Sequence, residues 1–187
     1  MSKSATIILS SPRRGSNSSA LAMSVAAGLN DNGVKTEAVD LSGLDIKSCL
    51  ACEACQRNGG KCAQVDGMQT VYPKVVSADI LILASPIYWF NMCGQLKIFL
   101  DRCFAIAGSA EGPFSQKTIA ATLVYGDVDP FVSGAVNAIR TFQDICGYTG
   151  AQWGGVVYGS AMERDTLVKN EELLAQAKEM GRKLAAG

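Results

Sequence analysis

The chain has 187 residues, of which 48% are hydrophobic and 18% charged, with Lys plus Arg equal to Asp plus Glu. A composition this apolar excludes disorder, and a length near 190 suits one domain, residues 1–187, with a full core of its own. The zero net charge gives no reason to expect a nucleic-acid or acidic-membrane partner. The absence of histidine removes Ser–His–Asp and Cys–His catalysis and every histidine-ligated metal site.

Strand and helix patterns alternate along the chain. ATIILS (5–10) reads as a buried strand, and residues 17–30 follow as a helix with Leu21, Val25 and Leu29 on one face. Val34 to Leu41 gives a second strand. Residues 45–65 carry little periodicity and read as a long connection; Met68 to Val76 suggests a short helix in which Pro73 predicts a kink or a late start. DILILAS (79–85) is the clearest strand, followed by a helix that turns Met92, Leu96, Phe99, Leu100 and Cys103 inward. A strand over 117–125 leads to Asp129-Pro130, an N-cap and first-turn proline for a helix over 130–146. A last strand (152–158) and a last helix (164–185, with Leu167, Leu174, Ala177 and Leu184 aligned) complete five strand–helix units. Near-continuous apolar strands indicate a parallel sheet covered on both faces, a three-layer α/β domain whose ligands bind at the carboxyl ends of the strands.

The loops at those ends are unusual. The first, Ser10-Ser11-Pro12-Arg13-Arg14-Gly15-Ser16-Asn17-Ser18-Ser19, sets hydroxyls and two guanidiniums at a helix N-terminus, where free N–H groups and positive potential bind phosphate. It is neither a Walker loop nor G-x-G-x-x-G, so a mononucleotide phosphate suits it better than ATP or a dinucleotide. A helix cap alone would need only one of these residues. The second loop, Ser85-Pro86-Ile87-Tyr88-Trp89-Phe90-Asn91, puts three aromatics at a strand's polar end, suited to a flat ligand with one polar edge. The third, Tyr125-Gly126-Asp127-Val128-Asp129, fits a flap over the same ligand, although a turn glycine and a capping aspartate account for much of it.

Four of the seven cysteines form a C-x2-C-x2-C-x6-C run: Cys49, Cys52, Cys55 and Cys62. Soft thiolates at this spacing are candidate ligands for an iron–sulfur cluster; zinc, a redox disulfide and free thiols are the alternatives. Cys93, Cys103 and Cys146 lie on expected helices as small core residues. An odd number of cysteines, and a start that runs into a strand without a signal peptide, point to reduced thiols in a cytoplasm. Other α/β chemistries lack their residues: Ser85 stands where a receiver domain needs an acid, no cysteine begins a C-x5-R, and no nucleophile elbow occurs.

SSPRRGSNSS, the cysteine run followed by DGM, and SPIYWFNMCGQLKIFLDR together resemble the flavodoxin-like NAD(P)H-dependent FMN reductase superfamily, and within it the iron–sulfur flavoproteins. The resemblance spans residues 5 to about 130 in motif order. It implies a flavodoxin-like, doubly wound five-stranded parallel sheet in the order 2-1-3-4-5, with FMN at its carboxyl edge. Ser11, Arg13, Ser16, Asn17 and Ser18 would hold the phosphate; Pro86, Ile87, Tyr88, Trp89, Phe90 and Asn91 the ring and ribityl chain; Gly126 and Asp127 would lie beside the ring. It also implies NAD(P)H as a transient co-substrate and a dimer or tetramer with the flavin near a subunit interface. The electrons would pass to a flavin, quinone or similar small acceptor. If Cys49, Cys52, Cys55 and Cys62 hold a 4Fe–4S cluster, they would instead be exchanged with a ferredoxin-like protein. Gly67, Pro73 and Cys93 depart from the family pattern.

Overall fold

The computed structural model describes residues 3–107, 112–164 and 166–187. Its strands are β1 (Ser4–Leu9), β2 (Lys35–Asp40), β3 (Ile80–Tyr88), β4 (Asn91–Met92), β5 (Thr118–Tyr125) and β6 (Gln152–Ser160). Its helices are α1 (Asn17–Asn30), α2 (Ala54–Arg57), α3 (Met68–Ser77), α4 (Gly94–Ala107), α5 (Ala135–Thr149) and α6 (Glu171–Ala186). The long strands are parallel in the order β2-β1-β3-β5-β6. With the two-residue β4 set aside, which pairs antiparallel with β3, this is the expected 2-1-3-4-5 winding.

Alternation along each strand divides the core between the two faces. Ala5 and Ile7 of β1 and Ile80, Ile82 and Ala84 of β3 pack under α1 and α6, against Leu21, Val25, Leu29, Ala177 and Leu184. Ile8, Leu81, Leu83, Ala121 and Leu123 face the other way, onto Met68, Val71, Leu96, Phe99 and Phe142 of α3, α4 and α5. The two helices on the first face approach until their backbones touch. A Cβ on Gly28 would lie 2.0 Å from the Lys178 carbonyl oxygen, and one on Gly181 would lie 2.1 Å from that of Val25.

Three elements differ from the sequence reading. Asp129 does cap, accepting from the backbone N–H groups of Phe131 and Val132, but it caps a short turn. The helix proper begins after Gly134, whose φ of +81° breaks any continuous helix from residue 130. The last helix starts at Glu171 under an Asn170 cap; Leu167 is buried in a separate 3-10 turn, and Asp165 lies outside the described residues. Helix α3 neither starts late nor stops at Pro73, running from Met68 to Ser77. In the described residues no helix is long and apolar enough to cross a membrane.

Candidate functional site

The first loop turns into α1 at Ser16, which takes the N-cap, its hydroxyl accepting from the Ser19 N–H at 3.2 Å. The Ser18 and Ser19 hydroxyls lie 3.2 and 2.8 Å from the same oxygen. Ser11, Ser16, Asn17 and Ser18 are all buried, so these hydroxyls sit in a recess rather than on a solvated face. The Thr122 hydroxyl donates to the Ser18 carbonyl and fixes this first turn over β5. Asn17 has a different task from the one expected of its side chain. Its amide nitrogen donates to the Glu163 carbonyl at 2.8 Å and its amide oxygen accepts from Leu167 N–H at 3.2 Å, tying down the loop after β6.

The second loop is a strained hairpin. β3 runs out to Tyr88, reverses through Trp89 and Phe90, and returns as β4. Both central residues are left-handed, with φ of +48° and +66°. A two-residue hairpin needs this conformation, but glycine and asparagine usually supply it, and other residues lose about 1–2 kcal/mol each. Asn137 of α5 donates to the Phe90 carbonyl at 3.0 Å and holds the turn down. Backbone strain held in place this way clusters at functional sites. Arg13 reaches from the first loop to the second, its guanidinium carbon 6.0 Å from the centroid of the Tyr88 ring.

The third loop joins the edge formed by β5 and β6. Ala161 N–H donates to the Tyr125 carbonyl at 2.8 Å, and the Met162 sulfur lies 2.7 Å from where a Cβ on Gly126 would stand. Burial, then Tyr158 and Asp129, raise Tyr125 above the ordinary phenol value.

Together these loops enclose a cleft of about 230 Å³. Nine of the thirteen expected residues line it: Ser11, Arg13, Ser16, Asn17, Ser18, Pro86, Ile87, Tyr88 and Gly126. Trp89, Phe90, Asn91 and Asp127 are not among its lining residues; Trp89 is 92% exposed at the tip of the hairpin, and the Asp127 carboxylate accepts from Val128 N–H. Tyr125 of the expected flap also lines the cleft, as do Val124 and the segment Ala161–Arg164, which were not expected. The rule that ligands gather at strand carboxyl ends, applied to the last strand as well, would have pointed to 161–164.

Beneath the cleft, three fully buried residues join the ends of β1 and β3 to the start of α4. The Ser10 hydroxyl donates to the Ala84 carbonyl at 2.6 Å and lies 3.1 Å from the Cys93 sulfur. The Cys93 N–H donates to the Ser85 hydroxyl at 3.0 Å, which itself donates to the Pro86 carbonyl. Cys93 is therefore a polar member of a buried knot as well as a small core residue. Cys103 and Cys146 are core residues whose thiols burial pushes up, that of Cys146 to about 11.

The cysteine run lies on the connection between β2 and α3. Cys49 and Cys52 are exposed, Cys55 and Cys62 half-buried, and all four line a second cavity of about 720 Å³ against Arg102, Phe104, Ile145 and Tyr148. Between the first three, Ala51 and Glu53 are left-handed at φ of +50° and +55°, and the Ala51 N–H points to the Cys49 sulfur at 3.5 Å. Among the described residues no three thiol or carboxylate groups converge on a single metal position, as zinc with sulfurs at about 2.3 Å requires. All seven thiols are free.

A buried ion pair anchors this connection to α4. Arg102 and Asp66 have side chains 0% and 1% exposed, and both guanidinium Nη atoms bond the carboxylate. Burial pushes the Asp66 carboxyl up, but Arg102 and the backbone N–H groups of Lys47 and Met68 outweigh it and hold the group below its usual value. A carboxyl whose folded pKa is depressed stabilises the fold above its unfolded value of 3.8 and loses that contribution as pH falls through the folded one. The urea midpoint is therefore expected to fall steeply below pH 3.8. In Asp66→Asn, part of that acid sensitivity should vanish and neutral-pH stability should drop by about 3–5 kcal/mol, the cost of leaving a buried partner unpaired. An unchanged acid slope in the variant would remove Asp66 from this role.

The first cavity fits a flavin mononucleotide at its phosphate end. It offers the N-terminus of a 14-residue helix, buried hydroxyls bonded mainly to one another, and Arg13, which pairs with no carboxylate among the described residues. At Gly126 a Cβ would lie against the Met162 sulfur, another residue of the cleft lining. The fold and cleft define a flavodoxin-like α/β protein, and comparison with known proteins extends this. Residues 4–149 match the NADPH-dependent FMN reductase family, and the chain belongs to it. It is thus an oxidoreductase with FMN as cofactor and NAD(P)H as co-substrate. An iron–sulfur flavoprotein of Archaeoglobus fulgidus is 29% identical over 182 residues, covering 95% of this chain and 77% of the relative. One from Methanosarcina thermophila is 29% identical over 166 residues, covering 87% and 85%. Among solved structures, an NAD(P)H:quinone oxidoreductase from Methanothermobacter marburgensis superposes with a TM-score of 0.72 at 20% identity, covering 98% of this chain and 96% of that one.

Proposed function

We propose that the cleft between the first, second and third loops holds FMN, and that the protein passes electrons from NAD(P)H through it to a flavin, quinone or similar small acceptor. The observation that carries this reading is the recess of hydroxyls and Arg13 at the N-terminus of α1, at the winding's switch point, in a member of this family. The Ser11, Ser16 and Ser18 hydroxyls and the Arg13 guanidinium would bind the phosphate. Asn17 acts indirectly by tying down Glu163, a wall residue, and Leu167. Pro86, Ile87 and Tyr88 would line the ring and ribityl chain, with Gly126 close to the ring. Flavin supplies hydride acceptance and one- or two-electron transfer when bound. The protein's work is to bind, orient and shield, and it needs no titrating catalytic base, in keeping with a chain that has no histidine.

Trp89, Val128, Phe131 and Met162 leave large apolar surface exposed around the cleft, which a second copy of the chain would cover in a dimer or tetramer. Seven unpaired thiols suit a reducing cytoplasm.

A second reading is favoured by one observation: all four cysteines of the run line a single cavity. On it the protein is an electron carrier with a 4Fe–4S cluster on Cys49, Cys52, Cys55 and Cys62, exchanging electrons with a ferredoxin-like partner. The likeness to iron–sulfur flavoproteins supports it. Anaerobic purification followed by flavin, iron and sulfide analysis, then addition of NAD(P)H, separates the two. Bound FMN that NAD(P)H bleaches with no iron present is the result expected of the reductase. Iron and sulfide near about four per chain with slow bleaching is that expected of the carrier. A protein that retains neither and fails to bind added FMN would defeat both.

A further inference from the structure

Arg102, the arginine of the QLKIFLDR segment, is the largest fully buried side chain of the protein. A guanidinium has five N–H donors, and burial requires an account of each. Nη1 donates to the Lys47 carbonyl at 2.7 Å and to Asp66. Nη2 donates to the other Asp66 oxygen at 3.2 Å and to the Cys62 sulfur at 3.5 Å. Nε is buried with no partner, and Arg102 lines the cavity that the four cysteines share.

A purely structural clamp would stop at the carboxylate and the carbonyl. Asp66 already receives the Lys47 and Met68 N–H groups at 3.0 Å, so the pair staples the connection to α4 without any sulfur. The guanidinium extends further, lying between Asp66 and Cys62 with its spare donor capacity on the cysteine side. A neutral thiol is a weak acceptor that gives a buried cation little. A metal-bound thiolate is a strong one, and hydrogen bonds to cluster sulfurs together with nearby charge set a cluster's potential.

We propose that Arg102 is the outer-shell donor of a cluster held by Cys49, Cys52, Cys55 and Cys62, and that through Cys62 it raises the cluster's reduction potential. This rests on the second reading above. Reduction adds one electron, taken from a reduced mediator, to an already anionic four-thiolate site; no bond forms or breaks and no proton is required. Positive charge and an N–H···S bond at Cys62 favour the more negative, reduced form. Arg102 is a positioning and tuning residue, not a ligand.

The test uses the full chain reconstituted anaerobically with ferrous iron and sulfide, titrated with mediator dyes and followed by EPR. Arg102→Gln removes the charge and the fork. It should disfavour reduction by about tenfold in the equilibrium constant, equivalent to about 59 mV for one electron. Arg102→Lys keeps the charge but not the reach to sulfur and should fall between. A measurement on the unaltered protein guards against misfolding of the variants: with guanidino-15N arginine, pulsed EPR of the reduced cluster should show a 15N coupling. An unchanged midpoint in a variant with full iron content, or the absence of that coupling, overturns the role of Arg102. Failure of the unaltered chain to take up iron and sulfide overturns the cluster reading itself, and the inference with it, while its flavin content reports separately on the FMN site.

Discussion

Arg13→Ala combined with Ser16→Ala is expected to weaken FMN binding by about 2–4 kcal/mol, since it removes charge-assisted bonds to a phosphate. That corresponds to a loss of affinity of roughly thirty- to a thousandfold, readable from the quenching of FMN fluorescence. Arg13 supplies the guanidinium that bridges toward Tyr88, and Ser16 is the hydroxyl around which Ser18 and Ser19 gather. Ser16 is also the N-cap of α1, so its loss carries about 1 kcal/mol of stability independent of any ligand. Unfolding of the FMN-free variant measures that share. Ser16→Asn, which keeps a capping side chain while altering the hydroxyl cluster, separates the two roles. Affinity unchanged in the double variant would move the phosphate away from α1 and leave the cleft without its proposed ligand.

The parallel, doubly covered sheet was legible in the sequence because its central strands β1, β3 and β5 are apolar on both faces and strand and helix patterns alternate; the strand order itself came from the resemblance. The hydroxyl-lined recess at the N-terminus of α1 was legible for a local reason: hydroxyls, arginines and a glycine fall on one short connection. What escaped depended on distant parts of the chain. That the Asn17 side chain is engaged with Glu163 and Leu167 across 150 residues could not be read from its neighbours. The 161–164 wall contains no distinctive motif, and only the general rule that ligands gather at strand carboxyl ends points to it. The hairpin at 88–91 defied propensity directly. Trp89-Phe90 is a poor two-residue turn, and it forms because α5 bonds it from the other side. The pairing of Asp66 with Arg102 joins two segments 36 residues apart; DGM and QLKIFLDR each stand out as motifs, but nothing in either says that they meet.

That external support of the hairpin gives the last expected result its size. A Cβ on Gly134 would lie 2.4 Å from the Phe90 carbonyl oxygen and 2.5 Å from its Cα, and the residue's φ is +81°. Gly134→Ala thus combines a left-handed alanine, about 1–2 kcal/mol, with a clash against backbone that overpacking data place at about 1–3 kcal/mol, a total of roughly 2–5 kcal/mol. Gly33→Ala is the natural comparison. Gly33 has φ of +79° but nothing within 4 Å of its would-be Cβ, so it isolates the conformational share. The excess of the first variant over the second in denaturant unfolding is then the cost of pressing on Phe90. The clash can be relieved by shifting α5 or by shifting the hairpin, and the two have different functional signatures. Because Phe90 is already strained and Asn137 ties it to the helix that would move, the hairpin is the part expected to give way. Tyr88 would move with it, and FMN affinity should fall even though no lining residue has changed. If Gly134→Ala is no less stable than Gly33→Ala and binds FMN normally, α5 does not hold the ring loop, and the strain at Trp89 and Phe90 requires another support.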